Sequence, residues 1–422
     1  MRSTGARGKS RDGGTEVSGR DWRPKRSDES EEMKKGRGNG MKKVLLVLCA
    51  LVLLVGTVAE GAEPIKIGCL VQLTGSGATW GEHHRDMSII AVEEINAAGG
   101  LLGRPVELVI YDFRGRQEDA VNAARRLILE DKVQVIAGTN FSGCQIAIVP
   151  ISEQHKVPIV SFSATNPAVT VDPQTGQVRP YSFRVCFTDP YQGKAIAEFL
   201  GTTLNLKTAA IFHDVGSDYS EGMKQFFEDH FPKVGGKVVG TYGYRDGDVD
   251  FRAQITQAKA TGAEAVFLPG MYKEMALIIK QAAEMDWKPV FIGGDGYSPA
   301  MTEIAGDAMN GTYWLTHIAT DDPDVQPLVK KYEKRFNKKP VEIVSCTLAY
   351  DTIMWIADAI KRAGEYDGAK IRDALANTQG LQLPDFVLTV DPATNTPHNK
   401  PTAILVFEGS VEKLYQKVIP QD

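Results

Sequence analysis

The sequence predicts an α/β fold made of two doubly wound, Rossmann-like lobes. Three observations lead there. From Pro64 onward, apolar runs of four to seven residues alternate with longer stretches striped at three- and four-residue spacing, the rhythm of parallel strands covered by helices on both faces. Most of the apolar runs open into small, Gly/Ser/Thr-rich turns, and sheets of this kind bind ligands beyond the carboxyl ends of their strands. The stretch that keeps the rhythm is about 360 residues long, more than one ordinary sheet needs.

The first residues stand apart. Residues 1 to 40 are rich in Arg, Lys, Gly, Ser, Asp and Glu and almost free of aliphatic residues, so they bury too little apolar surface to offset the entropy of ordering them. Eleven basic residues are offset by seven acidic ones, which argues against a nucleic-acid arm. Met41-Lys42-Lys43 then precedes twelve apolar residues, Val44 to Val55, and a small-residue exit through Thr57-Val58-Ala59 and Gly61-Ala62. That order is the order of a secretory signal peptide starting at Met41, with cleavage expected after Ala59 or Gly61. Twelve residues fall short of the roughly 20 that span a bilayer. Cys49 lies within the apolar run rather than after a lipobox, so a lipoprotein is not expected.

Without residues 1 to 62, which carry +5, the formal charge of −5 becomes −10. An acidic exported chain is no nucleic-acid binder as a whole, and no later segment is expected to hold it in a membrane.

The elements follow in order. Ile65 to Val71 is a strand, and Thr74-Gly75-Ser76-Gly77 turns into a helix striped by Met87, Ile90, Ala91, Ile95 and Ala98, stopped by Gly99-Gly100. Val106 to Tyr111 is the next strand; Val121, Ala124, Leu127 and Ile128 stripe the next helix. Val133 to Ala137 and Val157 to Phe162 are further strands. After a helix with Ile196, Phe199 and Leu200, strands are expected at Thr208 to His213, Lys237 to Tyr242, Ala265 to Leu268, Val290 to Gly293 and Thr312 to Ile318. Helices between and after them carry Met223, Phe226 and Phe227; Met275, Ile278 and Ile279; Leu328, Val329 and Tyr332; and Ile353, Ile356 and Ile360. Ala403 to Phe407 is a last strand.

The strand ends suggest a chemistry. Asn140-Phe141-Ser142-Gly143 and Ser161-Phe162-Ser163-Ala164-Thr165 offer hydroxyls and backbone N–H groups to an anion, whereas Gly293-Gly294-Asp295-Gly296 offers a carboxylate to a cation. Together they describe a zwitterion. Enzyme signatures are absent: no GxGxxG opens the first helix, and neither GxxxxGK[ST] nor GxSxG occurs. Cys69, Cys144, Cys186 and Cys346 are widely spaced and read as free core thiols. His83-His84 with Glu82 and Asp86 reads as a solvated helix start rather than a metal site, since neighbours on a helix diverge by about 100°. Of the other histidines only His213, at a strand end, is expected near the cleft. No metal or cofactor is expected.

Several blocks are more specific: Ile65-Lys66-Ile67-Gly68, Trp80-Gly81, Asn96-Ala97-Ala98-Gly99-Gly100-Leu101-Leu102-Gly103-Arg104, Tyr111-Asp112, Pro158-Ile159-Val160-Ser161, Arg184 with Asp189 and Gln192-Gly193, and Tyr219 with Gly222. In these the sequence resembles the type I periplasmic binding proteins, specifically the leucine/isoleucine/valine-binding receptors of ABC importers. The resemblance implies that Ser142 holds a ligand α-carboxylate, that Thr165 and a backbone group at Ser163 contact the same end, and that Asp295 pairs with the α-amino group where many amino-acid receptors have Glu. It places Trp80 against the ligand side chain and brings Tyr219 and Tyr272 from the other lobe, with Met271 one residue away in register. A family disulfide is not expected, because Phe141 and Gly115 stand at its positions. The resemblance further implies a three-crossover hinge, with lobe one formed by 63–186 and 318–391 and lobe two by 187–317 and 392–422. It implies a monomeric periplasmic receptor whose small-molecule ligand is an amino acid, branched-chain first, and whose partner is the membrane permease of an ABC transporter. Receptors for amides, urea-like solutes or aromatic acids, or a sensor ligand domain, are the alternatives.

Overall fold

The computed structural model describes residues 63–398 and 400–418; the leader expected over 1–62 lies outside them. The first sheet is built by β1 (Ile65–Val71), α1 (Ala78–Ala97), β2 (Val106–Asp112), α2 (Gln117–Leu129), β3 (Ile136–Ala137), α3 (Ser142–His155), β4 (Ile159–Ser161) and β5 (Ser182–Arg184). Its strands are all parallel, in the order β2-β1-β3-β4-β5. Every residue of β1 except Lys66 is buried, as expected of a central strand covered on both faces. The chain steps from β1 out to β2 and returns past β1 to β3. The topological switch between β1 and β3 therefore directs two strand ends at one place.

The second sheet takes α4 (Asp189–Glu198), β6 (Thr208–Asp214), α5 (Asp218–His230), β7 (Lys237–Tyr244), α6 (Arg252–Ala260), β8 (Ala265–Leu268), α7 (Tyr272–Glu284), β9 (Val290–Gly293), α8 (Met301–Ala305) and β10 (Tyr313–Thr316). Strands β7-β6-β8-β9-β10 are parallel, with the same kind of switch between β6 and β8. The chain then returns to the first sheet as α9 (Gln326–Phe336), α10 (Ile343–Ala363) and α11 (Gly368–Ala376), with α10 packed along α1. Two short hairpins follow, β11 (Leu381–Gln382) with β12 (Val387–Leu388) and β13 (Val390–Asp391) with β14 (Thr396–Pro397). Finally β15 (Thr402–Glu408) and β16 (Val411–Val418) add antiparallel to β10 on the second sheet. The chain thus passes between the two sheets three times, after β5, β10 and β14.

Several expectations need correcting. The strands expected at 133–137 and 157–162 shorten to Ile136–Ala137 and Ile159–Ser161; most of the residues lost, 133–135 and 157–158, lead into the strands, and Pro158 has no N–H to give to a ladder. The expected solvated helix start at His83-His84 is buried: His83 is 3% and His84 1% exposed. His83 Nδ1 lies 2.7 Å from the Thr79 carbonyl, its Nε2 accepts the Val341 N–H at 3.1 Å, and its ring stacks on Tyr332. Helix α10 is long and apolar enough to cross a membrane, contrary to expectation, yet most of it lies in the core beneath α1. Cys69, Cys144, Cys186 and Cys346, the cysteines among the described residues, are buried and free, as expected.

Candidate functional site

The carboxyl ends of β3 and β4 form one side of a cleft. After β3 the chain runs through Asn140 and Phe141 into α3, whose first residue is Ser142. Phe141 occupies the capping position in an extended conformation and no side chain caps the helix, so its leading N–H groups remain an anion seat beside the Ser142 hydroxyl. The loop is held in shape. Gln145 Oε1 accepts the Thr139 N–H at 3.0 Å, Ser161 Oγ donates to the Thr139 carbonyl at 2.6 Å, and Ser163 Oγ donates to the Asn140 carbonyl at 3.4 Å. Ser142 Oγ in turn accepts the Asn166 N–H at 3.2 Å. Behind them the fully buried Arg184 donates to the Ala164 and Asn166 carbonyls at 2.7 and 2.8 Å. Arg184 is therefore a brace for the 164–166 loop.

Opposite stands Asp295, beyond the end of β9. Gln192 of α4 clamps it, its Nε2 donating to Oδ1 at 3.0 Å and its Oε1 accepting the Asp295 N–H at 3.1 Å. His317, one residue past β10, places Nε2 3.3 Å from Oδ2. The imidazole is stacked on Phe187 with centroids 3.7 Å apart, and burial lowers its pKa, which favours a neutral ring that orients the carboxylate more than it neutralises it. No Lys or Arg among the described residues hydrogen-bonds to Asp295, so a ligand cation would find a buried carboxylate awaiting it. Tyr219 closes the corner. Its hydroxyl accepts the Gly296 N–H at 3.3 Å. A Cβ on Gly296 would sit 2.0 Å from the Gly270 carbonyl oxygen, so only glycine lets this loop press so close.

Trp80, Ser142, Ser163, Tyr219 and Asp295, five of the residues expected from sequence, line this one cleft, together with Phe141, Met271, Trp314, His317, Glu342 and Leu348. Thr165 and Tyr272 do not line it. Thr165 is fully buried beside Asp189, whose carboxyl burial raises well above the usual range. Tyr272 backs Trp80, ring centroids 5.0 Å apart, and its hydroxyl lies 3.3 Å from Thr79 Oγ1, while Met271 reaches the cleft. His213, the histidine expected at the cleft, instead places Nδ1 2.6 Å from Glu221 Oε1. The histidine that does reach it, His317, stands at a strand end as well, and that position is the signal that could have found it. Glu342 carried no such signal, since it precedes an ordinary apolar helix. No cluster of three or more His, Cys, Asp or Glu residues suited to a metal occurs among the described residues.

The two-sheet fold agrees with what comparison shows. A family model described as periplasmic binding protein matches residues 64–406. The chain belongs to the periplasmic binding protein family. This is a family of solute-binding receptors, not of enzymes, and it works outside the cytoplasm. Among curated relatives, a leucine-, isoleucine-, valine-, threonine- and alanine-binding protein of Pseudomonas aeruginosa is 32% identical over 322 residues, covering 75% of this chain and 83% of the relative. Among solved structures, a leucine binding protein, LivK, from Thermotoga maritima is 33% identical with a TM-score of 0.78, over 84% of this chain and 99% of that one. The branched-chain amino acid transporter substrate binding protein LivJ of Streptococcus pneumoniae, in complex with isoleucine, is 27% identical with a TM-score of 0.77, over 85% and 99%.

Proposed function

We propose that this periplasmic binding protein captures a free α-amino acid, with branched-chain amino acids first, and presents it to the membrane permease of an ABC importer. The observation that carries the reading is the pair of opposed seats: the uncapped start of α3 with Ser142 for a carboxylate, and Asp295, clamped by Gln192 and His317, for an ammonium group. Thr165 acts from behind the first seat and Tyr272 from behind Trp80. The relatives' leucine, isoleucine and valine ligands support the choice of side chain, as do the apolar walls of Trp80, Val344 and Leu348.

In this reading the chain moves as two lobes, 63–186 with 318–391 and 187–317 with 392–422, and acts as a monomer. The ligand docks on the first lobe through Ser142, and the second then closes to bring Asp295 and Tyr219 onto it. Closure follows only from contacts that are better in the closed state; Asn166 Nδ2 to the Asp218 carbonyl, at 2.8 Å, is one such contact across the cleft. The segment from Met41 to about Ala59 or Gly61 is the export signal, which places the mature protein in the periplasm.

Calorimetry with leucine, isoleucine and valine tests the reading. Binding to the mature protein is expected, and Asp295→Ala should weaken it by about 3–5 kcal/mol, the usual consequence of stripping one partner from a buried charge pair. Unchanged affinity in that variant would refute the role of Asp295. Absence of binding to every amino acid, with binding to an amide or an aromatic acid instead, would overturn the amino-acid assignment.

A further inference from the structure

One stretch of the cleft belongs to neither seat. Where α10 begins, Glu342, Val344, Ser345 and Leu348 face Trp314 and Tyr297 of the second sheet. With the two ends of a zwitterion placed on Ser142 and Asp295, this is the wall left to the ligand's side chain. Much of it is apolar, but Glu342 is not. Its residue is 3% exposed, and the Ser298 hydroxyl, arriving from beyond β9, donates to Oε1. Oε2 has no hydrogen bond to any described residue. Burial, together with the nearby Glu412, pushes the carboxyl up to about 8 against the pull of Ser298. At neutral pH it is therefore mostly a neutral acid, able to donate as well as accept.

Trp314 and Tyr297 add aromatic surface to this wall, and Glu342 Oε2 is left without a hydrogen-bond partner among the described residues. Buried polar groups are nearly always paired, and exceptions mark places where a ligand or water supplies the partner. A neutral carboxyl is served by a donor or an acceptor. A small neutral group that offers either, a hydroxyl or a carboxamide, satisfies it, and a methyl group does not.

We propose that Glu342 is a specificity-determining residue which lets the cleft take an amino acid whose side chain bears a hydroxyl or carboxamide on equal or better terms than its aliphatic isostere. The proposal rests on the α-amino-acid reading and concerns only the side chain.

Two isosteric pairs test it: threonine against valine, and asparagine against leucine. An apolar pocket disfavours an isostere that merely adds a hydroxyl by about 100-fold. By calorimetry on the mature protein, the polar member of at least one pair should bind within tenfold of the aliphatic member or more tightly. In Glu342→Leu the affinity ratio of that pair should move toward the aliphatic member by tenfold or more. A wild type that binds both aliphatic members more than tenfold tighter overturns the proposal, and so does a smaller shift in the variant. If Glu342→Leu does not fold, the wild-type comparison decides alone. Aliphatic preference sinks this proposal and leaves the amino-acid reading standing; no amino-acid binding at all sinks both.

Discussion

His84 lies beneath Phe162, with ring centroids 4.6 Å apart and planes 13° apart, and neither ring nitrogen is hydrogen-bonded to any described residue. Burial, helped slightly by the neighbouring His83, lowers its pKa to about 3. In the unfolded chain the ring titrates near 6.5. A folded-state pKa below the unfolded value contributes stability that is complete above 6.5 and lost as pH falls toward 3. Relative to His84→Leu, the wild type should lose about 1.4 kcal/mol for each pH unit below 6.5, read as a widening gap between denaturant melts at pH 7, 6 and 5. A gap that stays constant would show that the ring is solvated after all. At this scale legibility was uneven. Ser142 and Asp295 could be read because strand ends in a doubly wound sheet face the ligand. Glu342 could not, because its position depends on how α10 returns from the other sheet, a contact far away in sequence.

The strands at Ala265–Leu268 and Val290–Gly293 stand where the apolar runs predicted them, since a fully buried parallel strand leaves its pattern in the residues themselves. β16 left no such pattern: VEKLYQKV is largely exposed and is held by its ladder to β15, so burial never shaped it. Helix α1 depends on a close approach that was equally hidden. A Cβ on Gly81 would lie 1.8 Å from the Gln72 carbonyl oxygen, which means that the helix rests directly on the backbone leaving β1. Gly81→Ala must push α1 away from that strand end. The expected cost is about 1–3 kcal/mol, typical of overpacking, and ligand affinity should fall with it because Trp80 moves too. Denaturant melts and calorimetry on the same preparation check both. Unchanged stability would mean that α1 can slide without cost, and Trp80 would then be a poorly fixed wall.

At the scale of the whole molecule, buried ionisable groups gather where the chain crosses between sheets. Arg184 and Asp189 flank the first passage, and His317, paired with Asp295, marks the second. The third holds Lys400, whose side chain is 1% exposed; its Nζ is 3.3 Å from Asp385 Oδ2 and 3.6 Å above the Phe386 ring. Burial raises the Asp351 carboxyl well above its ordinary range, and the charge on Asp385 adds to the effect. Burial opposes charge on Asp385 as well, yet Lys400 and the Asp351 carboxyl hold it below the usual range. One proton and one cation thus serve two acids. Lys400→Met removes the cation and leaves Asp385 either ionised and unpaired or protonated. At neutral pH the variant should lose about 3–5 kcal/mol of stability. With Lys400 gone, the folded-state pKa of Asp385 rises above its unfolded value near 3.9, so the deficit should grow as pH rises through the new pKa and shrink in acid. Asp385→Asn added to Lys400→Met should recover much of the loss at neutral pH, because an amide needs no counter-charge. Melts of the three proteins at pH 4 and pH 8 decide it: an equal deficit at both, unrelieved by the second substitution, would mean that Lys400 anchors the crossing through its aliphatic packing on Phe386 and not through its charge.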